Sequence, residues 1–191
     1  MANVFAVHSV GNSLMTYLKN AYPEPLRTDV PFDFKLTSSG ELAESPEPRN
    51  TLTLFLFRIT QNEYLRNRTT PSDPHGARPP LSVDLHYLLT SWADNALAEQ
   101  TVLTWAMREI QMHPVFDSSA LSPEAGWTSA DVVQLIPAEL SNDELFRVWD
   151  LLQPKFHLSV SYIARVIRID TSVDTALPVV ATRFSLGEAG E

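Results

Sequence analysis

The chain predicts an α+β fold, with helices packed on a mixed, largely antiparallel sheet. Three observations carry that expectation. Leu81, Val83, Leu85, Tyr87 and Leu89 recur at every second position, the period of a strand with one buried face. A helical pattern then runs from Ala96 to about Met112 and stops at His113-Pro114, because the residue before a proline is pushed out of the α region. Segments of these two kinds follow each other in the order α, β, β, β, α, β, α, β.

The first element is a helix from Val4 to about Ala21. Val4, Val7, Val10, Gly11, Leu14, Met15, Leu18 and Ala21 share one side, and Asn12, Ser13, Thr16 and Lys19 the other. Asn3 is the candidate cap, and Gly11 on the apolar side lets this helix approach a sheet closely. Pro23, Pro25 and Pro31 break the chain before a short strand, Phe32–Leu36. A polar connector from Ser38 to Asn50 leads into Thr51–Ile59, which is apolar on both faces and therefore reads as an interior strand.

Gln61–Pro80 is a long polar loop carrying Arg66, Arg68 and Arg78, with Arg58 at its root. After it, Pro79-Pro80 marks the start of the alternating strand, since proline cannot donate within a central ladder. Asp94 or Asn95 caps the second long helix. Its core face reads as Ala96, Val102, Leu103, Ala106, Met107 and Ile110, which leaves Trp105 and Met112 roughly opposite, to be covered either by later segments of the chain or by a subunit interface. Val115 to Ser129 reads as a loop and Asp131–Ile136 as a strand ended by Pro137. Ser141 and Glu144 form a capping box ahead of the stripe Leu145, Val148, Trp149 and Leu152. Phe156–Asp170 is read as the longest strand, with Leu158, Val160, Tyr162, Ala164 and Val166 on one side and Ile163, Ile167 and Ile169 on the other. The domain is thus residues 1–170, with a loop arm at 60–80. A tail follows at 171–191, with one further strand read at Val179–Ser185.

Composition narrows the function classes. A chain of 191 residues with 44% hydrophobic and 19% charged residues is long enough to bury a sizeable core. Its net charge of −9 argues against nucleic acid as a partner, because neutralising phosphates needs a concentrated basic surface. Without cysteine there are no disulfides and no thiolate metal ligands, which suits a reducing cytoplasm. No apolar run reaches the length of a membrane span and the first residues lack a signal-peptide pattern, so the expected setting is soluble and intracellular.

The strongest enzymatic constellation is Asp84, His86 and His113, as three ligands of a metal-dependent hydrolase. It stands alone. There is no His-Glu-x-x-His, no Gly-x-Ser-x-Gly and no phosphate loop, so the reading is a non-enzymatic chain without cofactors. A monomeric adaptor that takes one partner peptide along a sheet edge is the plainer alternative.

One stretch resembles a known family. "LSVDLHYLLTSWADNALAEQTVLTWAMREIQMHPVF" is similar to a block of the form "LxLDLxYLLTAW…EHxLLGxxLxxLHxxPVL", and a second matching patch spans Asp131–Ile169. The family is the cap, or tube-terminator, proteins of extracellular contractile injection systems, of the antifeeding prophage and Photorhabdus virulence cassette type. The resemblance implies a tail-terminator-like single domain and a six-fold ring of identical subunits. That ring would sit on the distal end of the inner tube, stop its growth and contact the last sheath layer. The inner-tube and sheath proteins would be its partners, with assembly in the cytoplasm before the particle is released. Head-to-tail contacts closed by rotation would make such a ring. From exposure and charge, Arg58, Arg66, Arg68 and Arg78 are the candidate tube- or neighbour-contacting residues. Trp105, Met112, Arg165 and Arg168, with an exposed edge of Phe156–Asp170, are the candidates for the subunit interface.

Overall fold

The computed structural model describes residues 2–43, 49–62, 80–152 and 156–170. In chain order the elements are α1 (Ala6–Ala21), α2 (Leu26–Asp29), β1 (Asp33–Thr37), α3 (Ser39–Ala43), β2 (Thr51–Gln61) and β3 (Leu81–Trp92). They continue with α4 (Ala96–Met112), β4 (Val115–Asp117), a 3-10 turn at Pro123–Ala125, β5 (Val132–Ala138), α5 (Asn142–Leu152) and β6 (Ser159–Ile169). The six strands lie in one sheet in the order β1-β2-β3-β6-β5-β4. Only β1 and β2 are parallel; every other pair is antiparallel. This is the expected α+β architecture. The arginines of the arm at Arg66, Arg68 and Arg78, and the strand read at Val179–Ser185, lie outside the described residues.

Alternation along β3 builds two cores. Val83, Leu85, Tyr87 and Leu89 point to the face covered by α1 and α4, and join Val10, Leu14, Leu18, Val102, Ala106 and Ile110. Leu88 and Trp92 point the other way, into a smaller cluster with Leu42 of α3 and Trp149 and Leu152 of α5. The Trp92 indole N–H donates to the Thr53 hydroxyl at 2.8 Å, so the polar end of this buried ring is satisfied. Burying one such large apolar side chain contributes about 1.5–3 kcal/mol.

The first helix begins at Ala6 rather than Val4. The Asn3 side chain accepts the Phe5 N–H at 2.8 Å, holding the preceding residues in a turn, and Val4 and Phe5 stay exposed. For α4 the Asn95 side chain accepts the Ala98 N–H, so Asn95 and not Asp94 is the cap. The capping box of α5 forms as expected, with reciprocal bonds between Ser141 and Glu144. Ser38 and Glu41 make the same box ahead of α3, inside the stretch read as a connector. The loop read over Val115–Ser129 contains the short edge strand β4 and the 3-10 turn.

Two register shifts correct the strand faces. Leu56 pairs with Tyr87 while Arg58 pairs with His86, so β2 carries an extra residue at Phe57. Likewise Ala164 pairs with Leu85 and Ile167 with Val83, so β6 bulges at Arg165 and Val166. The bulge switches the phase of β6. Tyr162, Ala164, Ile167 and Ile169 are all buried and follow a single core face across it, where strict alternation had split them between two. At twelve residues β3 is longer than β6, which has eleven.

Gly11 packs where its position on α1 suggested. A methyl group there would meet Leu36 Cδ1 at 2.7 Å and the Tyr87 hydroxyl at 3.3 Å. We therefore expect Gly11→Val to destabilise the protein by about 1–3 kcal/mol through overpacking, read as a lower urea midpoint at unchanged slope.

Candidate assembly surfaces

The half of the sheet that α5 and α3 leave uncovered carries a row of charged and polar side chains. Arg58 of β2 stands opposite His86 of β3, and Ile163 of β6 stands on the other side of His86. Cross-strand partners share a face, so Arg165, two residues on from Ile163, joins them. Arg168 lies opposite Ser82, two positions before Asp84 on the same face. Arg58, Arg165 and Arg168 are all exposed. Sequence reasoning assigned Arg58 to one contact and Arg165 and Arg168 to another; the sheet register places all three on one surface.

Its interior is tied down by hydrogen bonds. His86 Nε2 and the Thr60 hydroxyl are 2.9 Å apart, and the Asn62 amide donates to Asp84 at 3.1 Å. The Phe57 ring meets His86 edge-on, with ring centres 6.1 Å apart. Burial, then the positive charge of Arg58, hold His86 below its ordinary pKa; Asp84 pulls it back up and Arg165 adds to the depression. Hydrogen bonds from Ser141 keep Glu144 at the start of α5 below the usual carboxylate range, with the charges of Arg58 and Arg147 adding to this. An anionic group seated between Arg58 and Arg165 would find two cations beside a neutral imidazole.

The three metal-ligand candidates do not meet. Asp84 and His86 are on the open face of the sheet, whereas His113 ends α4 on the opposite side. There its ring packs on Tyr17 of α1, and its Nδ1 lies 3.3 Å from the Glu109 carboxylate. Tyr17 donates to the same carboxylate at 2.6 Å, and its hydroxyl is held well above the ordinary tyrosine value by burial and by that bond. This network ties α1 to the end of α4. Among the described residues, no group of three His, Asp or Glu side chains could hold a metal ion. The hydrolase reading loses its site.

Trp105 corrects another expectation. It is 5% exposed and packs edge-on against Tyr22, with ring centres 4.8 Å apart, and against Phe34 at 5.9 Å. The buried arc of α4 is wide, because the helix contacts the sheet on one side and the chain after α1 on the other. Trp105 therefore enters the core, and Met107, expected inside, is 40% exposed. Met112 is exposed as expected. The supposed free edge of Phe156–Asp170 is also absent, since β6 lies between β3 and β5, and Ala2 bridges Ile169 beyond the end of β5. Sequence reasoning missed an apolar patch on and beside α5, where the Phe146 and Phe156 rings meet at a tilt of 59° with centres 5.9 Å apart. The signal was present, since Phe146 sits off the stripe of Leu145, Val148, Trp149 and Leu152.

One whole face of the sheet carries helices, and the other is half covered by α3 and α5. The chain belongs to the Pvc16 N-terminal domain family, whose model matches residues 9–182. A search of curated proteins found no match. Among solved structures, the chain is similar to the PVC sheath/tube terminator of an extracellular contractile injection system in its extended state. That match has 18% identity and a TM-score of 0.56, and covers 98% of this chain and 64% of the other. It is also similar to the tube-terminating cap of the anti-feeding prophage, with 17% identity, a TM-score of 0.51, 94% of this chain and 59% of the other. The chain thus spans about three fifths of the length of these relatives. Among the described residues, no helix is long and apolar enough to cross a membrane.

His86 gives this surface a pH signature. Its native pKa is lowered, so between that value and its ordinary 6.5 the unfolded chain holds more protons, and stability rises with pH in that window. Acidification from about pH 7.5 to about pH 5.5 should destabilise the wild type. His86→Gln, which keeps a partner for Thr60, should lose less, as read by paired thermal melts.

Proposed function

We propose that the chain is a structural cap that terminates the inner tube of a phage-tail-like contractile particle and meets its last sheath layer. The observation that carries this reading is the backbone match to two tube-terminating proteins over nearly the entire chain, together with a family match over residues 9–182. The role needs subunits that dock on a tube end and offer no face for another layer. The sheet suits that asymmetry. One face is roofed by α1 and α4, and the other keeps an open half bearing Arg58, Arg165 and Arg168.

In this reading the three arginines, with Arg66, Arg68 and Arg78 of the arm, meet an acidic surface on a tube or neighbouring subunit. Met112 belongs to the contact between copies in a ring, for which six subunits is the number the family resemblance implies. Trp105, being buried, is withdrawn from that contact. Assembly takes place in the cytoplasm and the cap then leaves as part of the particle.

Particles made in the source organism without this gene should have an undefined tube and sheath length, measured by electron microscopy. Particles of normal length would refute the role. For the arginine surface, Arg58→Glu with Arg165→Glu should weaken co-sedimentation with cap-less particles by about 100-fold at low salt. The melting temperature should barely move, since exposed substitutions change stability by only about 0.5 kcal/mol.

A further inference from the structure

The sheet face that carries α5 is a step. α5 packs over Phe55, Leu88 and Trp92 and stands about 10 Å proud of the strands. The low half of the same face presents apolar side chains among its arginines. Ile136 of β5 stands opposite Ile163 of β6, and Gln134 opposite both Arg165 and Val115. Val132, opposite Asp117, falls on this side too. Val115 is 53% exposed and Val132 48%, while Ile136 and Ile163 are half-buried. The carboxylates of this half are engaged locally. Asp84 accepts from the Asn62 amide, and Asp117 from Ser119 and Ala120.

The high half offers the complement. Leu145, Trp149 and Leu152 of α5 turn into the sheet, so its outer side carries Asp143, Phe146 and Asp150, spaced by three and four residues. Leu151 on the other flank is 83% exposed, and Phe146 53%. Asp143, Glu144 and Asp150 outnumber the single cation of the helix, Arg147. Among the described residues, neither Asp143 nor Asp150 is in an ion pair. The field of Arg58 already reaches Glu144 of its own chain, which leaves Arg165 and Arg168 to meet carboxylates elsewhere.

We propose that two copies of the chain pair face to face about a two-fold axis, each seating its α5 on the low half-sheet of the other. Asp143 and Asp150 then meet Arg165 and Arg168, and Phe146 and Leu151 meet Val132, Ile136 and Ile163. The sizes agree. The eleven residues of α5 rise about 16 Å, and β6 from Ile163 to Ile169 runs about 20 Å. A partner filling the whole step must bring both an acidic, apolar-flanked ridge and an arginine-bearing seat, and a second copy brings both. Because ridge and seat share one face, a two-fold rotation satisfies each with the other and closes the assembly at two. The inference concerns the free chain and does not rest on the capping role. In the capping reading the same arginines dock elsewhere, so pairing and docking exclude each other.

Sedimentation equilibrium of the 191-residue chain tests the pairing. Salt of about 0.1 M, with a Debye length of about 10 Å, damps the long-range repulsion between two chains of net charge −9 while sparing close contacts. The wild type should reach the mass of two chains and stop there. Arg165→Glu with Arg168→Glu should weaken pairing by about 100-fold, and so should Asp143→Arg with Asp150→Arg in a separate variant. Mixing these two variants should restore pairing, since each then finds opposite charge at both contacts. Phe146→Asp should weaken it by about tenfold, and thermal melts report that every variant is folded. A wild type at the mass of one chain throughout the micromolar range overturns the proposal. A mass beyond two copies, variants that pair as the wild type does, or a mixture that fails to recover overturns it as well.

Discussion

The structure depends on a single strand buried on two sides. β3 sends Val83, Leu85, Tyr87 and Leu89 into the core beneath α1 and α4, and Leu88 and Trp92 into the cluster beneath α5. Because its neighbours β2 and β6 pair with it along nearly their whole lengths, its register sets which of their residues face which core. The Trp92–Thr53 hydrogen bond fixes one end of that register in a buried setting, where an unmet donor would cost about 1–3 kcal/mol. At the other end, Asp84 and His86 lie on the uncovered part of the sheet, and their neighbours across the ladder become a surface.

That geometry accounts for what could and could not be seen in the residues alone. The alternation of Leu81–Leu89 and the wheel of Leu14 and Leu18 are local periodicities, so the strand and the helix were legible. The capping box at Ser141 is local too, whereas the equivalent box at Ser38 lacked a long apolar stripe after it and was passed over. The bulges in β2 and β6 are different. An extra residue leaves no mark in composition, and it is defined only by the partner strand, so the faces of Ile167 and Ile169 were misassigned. Trp105 failed for a related reason. A helix wheel gives one axis of burial, while α4 is covered from two directions.

The surface that the arginines form was hidden in the same sense. Arg58 and Arg165 are far apart in sequence, and only the pairing of β2 and β6 with β3 brings them to either side of His86. In an acidic chain this concentrates positive charge on one open half-sheet, while α5 beside it begins with Asp143 and Glu144. Charge of opposite sign in neighbouring regions sets the orientation of a docking partner more than its affinity. The exposed ring pair Phe146–Phe156 adds apolar area to the surface.

Cryo-electron microscopy of purified particles from the source organism tests the central claim most directly. The account predicts density for this six-stranded fold at one end of the inner tube, beyond its last ring, with the face bearing Arg58, Arg165 and Arg168 against a neighbouring subunit. Density for the fold repeated along the tube or sheath, or particles whose closed end is built from another protein, would contradict it.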